Sequence, residues 1–157
     1  YWFAFICTLI TVSFIDLDHQ IIPDVISLPG ILIFASGVYI LPDMTLLQSL
    51  AGIFFGGGML YAVAVLYGWL RKQEGMGGGD IKLLAMIGAA TGVQGVLFTI
   101  FVSSIAGSAA GLVMMVFNRT TDATVKVPFG PFLSLGAILY LFYGESILHW
   151  YISLLVQ

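Results

Sequence analysis

Charged side chains are scarce in this sequence. Lys, Arg, Asp and Glu make up 8% of the 157 residues, against about 25% in a typical soluble domain. Hydrophobic residues make up 60%, which excludes a disordered segment and an ordinary water-soluble globule. Five Lys and Arg against eight Asp and Glu leave no basic face for nucleic-acid phosphates. The composition predicts a protein of the lipid bilayer with no nucleic-acid partner.

Cysteine is almost absent. The single cysteine, Cys7, lies within an apolar run, so it has no partner in the chain for a disulfide or a metal site. We interpret it as a small buried hydrophobic residue. The sequence begins at Tyr1, already inside an apolar run. We therefore expect residues 1–157 to be one membrane-embedded domain, the C-terminal part of a longer protein.

Apolar runs of membrane-spanning length dominate the chain, since a helix needs about 20 apolar residues to cross a bilayer. The sequence predicts an all-α polytopic membrane protein with about six transmembrane helices. They cover residues 1–15, 25–41, 46–70, 81–90, 93–117 and 132–155. The run from 81 to 117 is divided because Gly88, Gly92 and Gly95 favour a tight reversal.

Positive charges provide a check on this topology, because cytoplasmic loops of membrane proteins collect Lys and Arg. Six helices place all five on one side: Arg71, Lys72, Lys82, Arg119 and Lys126. A single helix over 81–117 would put the last two on the opposite side. We therefore expect the N-terminus outside, and the loops 16–24, 71–80 and 118–129 in the cytoplasm.

Five of the eight acidic residues crowd the predicted cytoplasmic helix ends. They are Asp16, Asp18, Asp24, Glu74 and Asp80. Charged groups in membrane helices are costly and mark functional sites. Asp24 beside Pro23 also fits a helix cap, and Asp18 fits a solvated loop. Asp16 and Asp80 directly adjoin apolar helices, where Asn or Ser would cap equally well, so we assign chemistry to these two.

Asp16 and Asp80 come from different predicted helices, which suggests an aspartyl pair. Two carboxyl groups within a few ångströms share one proton, because both cannot ionise at low cost. The ionised partner takes a proton from water, and the protonated partner hydrogen-bonds the scissile carbonyl, so no covalent enzyme intermediate forms. The glycines before Asp80 lack Cβ atoms, which lets an extended substrate strand approach the backbone.

Three segments resemble the type IV prepilin peptidases, a family of membrane aspartyl proteases. Residues 77–80, GGGD, fit the GxGD motif, and their continuation IKL resembles its longer form. Residues 16–24, DLDHQIIPD, resemble the family's first aspartate motif. Residues 127–132, VPFGPF, resemble a further Pro-Phe-Gly-Pro segment. The resemblance covers about residues 14–134, most of the chain.

The resemblance implies an aspartic endopeptidase with Asp16 and Asp80 as the catalytic residues. Supporting or substrate-binding positions carry over to Asp18, Asp24, Gly77, Gly78, Gly79 and Lys82. The implied substrate is a type IV prepilin or type II secretion pseudopilin, cut after a Gly at the cytoplasmic face of the bacterial inner membrane. The acidic cluster suits the basic leader of such a substrate.

The resemblance also bears on cofactors. Peptide hydrolysis by an aspartyl pair is expected to need no metal or other cofactor. Many bacterial members of the family also N-methylate the new terminus with S-adenosylmethionine, and carry paired Cys-x-x-Cys motifs in an N-terminal region. This sequence contains no such pairs. We expect S-adenosylmethionine only for an activity of the intact protein.

Alternative functions stay open at this point. A presenilin-like protease shares GxGD but carries Tyr before the first aspartate, where this sequence has Ile15. A small proton or cation transporter would place its acids near mid-bilayer. The side chains of Asp16, Asp18, His19 and Asp24 could also be interpreted as oxygen and imidazole ligands of a metal site. A pure assembly scaffold is the third alternative.

Overall fold

The chain is helical throughout the part described by a computed structural model, which covers residues 1–42, 44–71, 77–118 and 128–155. No strand occurs within these ranges. The α-helices are α1 (Trp2–His19), α2 (Asp24–Ala35), α3 (Leu46–Arg71), α4 (Gly78–Asn118) and α5 (Gly130–Leu155). A 3-10 turn over Ser36–Tyr39 extends α2. The predicted all-α fold is confirmed for the described residues.

Three of these helices are long and apolar enough to cross a bilayer: Trp2–His19, Leu46–Leu70 and Gly78–Met114. Asp24–Tyr39 and Gly130–Gly144 are shorter apolar helical stretches. The prediction of about six transmembrane helices is therefore not confirmed. The charge-based orientation is not tested either, since the structure does not describe three of the five positive residues, Lys72, Arg119 and Lys126.

Helix α4 is broken at Gly92, whose backbone angles of φ 69° and ψ −172° are not helical. Glycine adopts such angles without the strain that a side chain would bring. The chain folds back at Gly92, and the two limbs of α4 lie close together. A Cβ on Gly88, in the first limb, would lie 3.0 Å from the Val96 side chain in the second. An unbroken helix would separate these residues by about 12 Å of rise. The break falls between the predicted fourth and fifth helices.

The first limb of α4, before Gly92, forms the centre of the bundle. Residues 83–90 are all buried, and α4 packs against α2, α3 and α5. Phe5 of α1 and Phe34 of α2 add an edge-to-face ring contact with centroids 4.9 Å apart. Because the buried limb begins just after Asp80, this carboxyl group lies at one end of the most enclosed element.

Cys7 does not lie in this core. It is exposed, on the same face of α1 as the exposed side chains of Phe3, Ile10 and Phe14. The interpretation of Cys7 as a buried residue is therefore wrong. In a bilayer, an apolar side chain is as well accommodated by lipid as by the protein core, so an apolar neighbourhood in sequence does not establish burial.

Helices α3 and α4 approach each other backbone to backbone. A Cβ on Gly52 would clash with the carbonyl oxygen of Gly88, and a Cβ on Gly56 would lie 2.6 Å from the carbonyl oxygen of Leu84. Small residues at such positions allow the close helix packing that is typical of membrane proteins. The close approach of α4 therefore requires a residue without a Cβ at positions 52 and 56.

We expect Gly52→Ala to destabilise the protein by about 1–3 kcal/mol, because the added methyl group must push the two backbones apart. The measurement is thermal unfolding in detergent. Gly58→Ala on the same helix is the matched control, since a Cβ at Gly58 would meet nothing within 4 Å. Equal unfolding temperatures for the two variants would contradict the close approach of α3 and α4.

Candidate active site

Asp16 is a buried carboxyl group near the C-terminal end of α1, with 5% of its surface exposed. Its Oδ2 atom accepts a hydrogen bond of 2.9 Å from the backbone N–H of Gly130. Gly130 is the first residue of α5. The carboxylate thus lies at a helix N-terminus, where unpaired N–H groups and the helix dipole stabilise negative charge.

Asp80 lies in the first turn of α4 and is half-buried. Its backbone N–H donates to the carbonyl of Gly77 at 3.2 Å, which closes the turn before the buried limb. Ile22 lies between the two groups: it would contact a Cβ on Gly79, the residue before Asp80, and a Cβ on Gly130, which hydrogen-bonds Asp16. The structure therefore brings the two predicted catalytic carboxyl groups into one site, although they belong to different helices.

The loop between α1 and α2 joins the two halves of this site. The chain leaves α1 at Gln20, which adopts the left-handed conformation with φ 54° and donates its N–H to the carbonyl of Asp16. Ile22 follows and is buried. A Cβ on Gly79 would lie 2.7 Å from Ile22 Cβ, and a Cβ on Gly130 would lie 3.3 Å from Ile22 Cδ1. Ile22 thus packs between the starts of α4 and α5.

The three glycines before Asp80 differ in their surroundings. Gly79 is fixed by its contact with Ile22. Gly77 and Gly78 are exposed. A Cβ on Gly78 would meet nothing within 4 Å, and one on Gly77 would lie 3.8 Å from Oδ2 of Asp80. Glycine at these two positions leaves the backbone beside Asp80 open to an approaching chain.

The other predicted site residues that the structure describes are more exposed than Asp16. Lys82 Nζ lies 2.6 Å and 2.7 Å from the two carboxylate oxygens of Asp24. Asp24 does not cap α2, whose N-cap is Pro23 and has no side-chain hydrogen bond. Asp18 is exposed on the last turn of α1. Glu74 lies outside the described residues.

Two residues of the site, Gly130 and Ile22, are not among the predicted site residues. Both fall within segments that resemble the family motifs, Gly130 in VPFGPF and Ile22 in DLDHQIIPD. Neither carries a reactive side chain, so residue chemistry gave no reason to select them. The motif segments themselves were the available signal.

The alternative of a metal site requires several ligating side chains that lie close together. His19 is exposed at the end of α1. Across the four described ranges, no group of three or more His, Cys, Asp or Glu residues is arranged to hold a metal ion. That peptide hydrolysis needs no cofactor stays a prediction.

An apolar helical bundle with two carboxyl groups meeting at one end is the arrangement expected of a membrane aspartyl peptidase. Comparison with known families identifies the family of this chain. The Type IV leader peptidase family matches residues 3–112. The chain belongs to this family, and the resemblance to type IV prepilin peptidases is confirmed.

The chain is similar to prepilin leader peptidase/N-methyltransferases of several bacteria. It is 36% identical to the Pseudomonas aeruginosa protein over 149 residues, 92% of this chain and 50% of that protein. The Stutzerimonas stutzeri protein is 37% identical over 143 residues, 88% of this chain and 48% of that protein. The Xanthomonas campestris pv. campestris protein is 34% identical over 146 residues, 93% of this chain and 50% of that protein. The chain spans about half the length of these curated relatives. No solved structure matches it significantly.

We expect Asp16→Ala to increase hydrogen–deuterium exchange at the amide of Gly130 by about tenfold or more. A hydrogen bond to a charged group contributes about 1.5–3 kcal/mol, and its removal frees this N–H for exchange. The measurement is exchange in detergent followed by mass spectrometry of peptides that contain residue 130.

Asp18→Ala is the matched control for this exchange experiment, because Asp18 is exposed and two residues from Asp16. It should leave exchange at Gly130 unchanged. Unchanged exchange in Asp16→Ala as well would show that Asp16 does not accept this hydrogen bond.

Proposed function

We propose that this chain is the catalytic membrane domain of a prepilin peptidase, an aspartic endopeptidase that removes the leader from type IV prepilins or type II secretion pseudopilins. The observation that carries the proposal is the buried Asp16 carboxyl group, which is held at the start of α5 and is joined through Ile22 to the first turn of α4, where Asp80 lies. The printed names of the relatives supply the substrate class.

The geometry favours different roles for the two carboxyl groups. The Gly130 N–H and the start of α5 stabilise Asp16 as a carboxylate. With Asp16 charged, a second carboxyl group close to it favours its protonated form, so we assign the shared proton to Asp80. Asp16 is therefore the base that takes a proton from water, and Asp80 is the acid that hydrogen-bonds the scissile carbonyl oxygen.

The proposed hydrolysis has two stages. In the first, the water oxygen attacks the carbonyl carbon while its proton passes to Asp16 and the proton of Asp80 passes to the carbonyl oxygen. In the second, the C–N bond breaks as Asp16 returns its proton to the leaving nitrogen, and Asp80 takes back a hydroxyl proton. Both carboxyl groups end as they began, and no covalent enzyme intermediate forms.

The open backbone at Gly77 and Gly78 supports binding of an extended substrate segment. A peptide in this conformation can align by main-chain hydrogen bonds, as in strand addition. Such alignment would bring its scissile bond beside Asp80. The acidic side chains at this end, Asp18 among them, suit a basic leader.

The proposed location is the bacterial inner membrane, as a multi-pass protein with the site facing the cytoplasm. Three long apolar helices support a membrane protein. The reversal of α4 at Gly92 supports reading its two limbs as separate crossings, and so about six transmembrane helices. The distribution of Lys and Arg supports the cytoplasmic orientation of the site.

No cofactor is proposed for the peptidase step. The names of the relatives also include an N-methyltransferase. We assign S-adenosylmethionine-dependent methylation only to the intact protein, because the relatives are about twice as long as this chain and no described residue here is assigned to it.

We expect Asp16→Asn and Asp80→Asn each to abolish leader cleavage, because an amide can neither accept the proton of water nor supply one to the carbonyl. Losses of about 10³-fold or more in kcat are expected, by analogy with removal of other general acids and bases. The assay incubates detergent-solubilised protein with a purified prepilin and reads the new N-terminus.

The matched control is Asp43→Asn, which belongs to none of the motif segments and is predicted on the opposite side of the membrane. It should cleave like the unaltered protein. Thermal unfolding of all three variants verifies folding. Cleavage that survives in folded Asp80→Asn would contradict the assignment.

A further inference from the structure

Lys82, two residues after Asp80, forms an ion pair with Asp24. We propose that Asp24 and Lys82 are positioning residues, whose ion pair fixes the first turn of α4 against the loop between α1 and α2 and so sets Asp80 relative to Asp16. This inference rests on the proposed peptidase function. It assigns these residues a role in the alignment of the catalytic pair, without contact with the reacting atoms.

The geometry of the pair is well defined. One ammonium nitrogen, Lys82 Nζ, lies 2.6 Å from Oδ1 and 2.7 Å from Oδ2 of Asp24. The Lys82 side chain is 36% exposed and the Asp24 side chain 55% exposed. Exposed ion pairs contribute little to stability. Loss of this ion pair is therefore expected to leave the protein folded. Its role is the alignment of Asp80 with Asp16.

The location of the pair connects it to the catalytic carboxyl groups through short stretches of backbone. Lys82 follows Asp80 by two residues, so on a helix their side chains point to different sides of α4. Asp24 is the first residue of α2, at the end of the loop that begins after α1. The ion pair therefore links the start of α4, which carries Asp80, to the start of α2, which follows Asp16 by eight residues.

At the start of α4, the contacts of Gly79 and Ile81 with neighbouring side chains are apolar. The three glycines before Asp80 provide no side chains, and the Ile22–Gly79 contact is apolar and non-directional. Lys82 to Asp24 is the ion pair that the structure shows among the residues it describes. It adds a directional constraint to the same junction. Displacement of a catalytic group by about 1 Å can reduce rates about 10²-fold.

A different role is conceivable for Asp24, as a docking site for the basic leader. The two roles differ in sign. If Asp24 binds the leader, Asp24→Asn raises KM, while Lys82→Met frees Asp24 and lowers KM. If the pair positions Asp80, both substitutions lower kcat and leave KM nearly unchanged.

The test is a double-mutant cycle measured as kcat and KM for a purified prepilin in detergent. We expect Asp24→Asn and Lys82→Met each to lower kcat by about 10- to 100-fold, with KM within about twofold of the unaltered protein. The double variant should be no worse than the more affected single variant, because the two residues act together. Lys82→Arg keeps the charge and should retain most of kcat.

Thermal unfolding of each variant verifies that the protein is folded, and Lys82→Gln replaces Lys82→Met if the latter does not fold. Effects that multiply in the double variant, opposite changes in KM, or an unaltered kcat in both single variants would overturn the positioning role. No cleavage by the unaltered protein would overturn the proposed function itself and this inference with it. Cleavage by the unaltered protein with unaffected single variants would overturn this inference alone.

Discussion

The buried hydrogen bond from the Gly130 N–H to the Asp16 carboxylate is the interaction on which the site depends. It joins groups 114 positions apart in the chain and attaches the end of α1 to the start of α5. A carboxylate in apolar surroundings is costly without such a donor. The helix N-terminus supplies this donor from the backbone. Gly130 has no Cβ to displace the carboxylate, which a Cβ would approach to 2.6 Å at Oδ2.

The remaining contacts bring Asp80 to that fixed point. The first limb of α4 is the most buried part of the bundle, so its first turn has a definite place. Ile22 fills the space left by Gly79 and Gly130 and couples the loop after α1 to the starts of α4 and α5. Apolar packing thus determines the approximate position of the site, and Asp16 and Lys82 add polar contacts to it.

The sequence predicted the features that depend on residue chemistry or local backbone preference. Asp16 and Asp80 were selected because carboxyl groups are costly at the ends of apolar helices, and their catalytic role stays a prediction. The break in α4 was identifiable because glycines cluster around Gly92. Gly130 was not identifiable, since its contribution is a backbone N–H that acquires meaning only when α5 meets α1. The exposure of Cys7 was missed because apolar sequence does not distinguish a core-facing position from a lipid-facing one.

Site-directed cross-linking of Asp16→Cys/Asp80→Cys, in a Cys7→Ser background, tests most directly whether the two carboxyl positions meet. We predict that a short bifunctional thiol reagent links the two cysteines within one chain in native membranes, as detected by mass spectrometry. Native Cys7 paired with Asp80→Cys should not be linked, because Cys7 lies on the exposed face of α1, about 13 Å along the helix from residue 16. If both introduced cysteines react with a monofunctional reagent but no link between them forms, the shared site is contradicted.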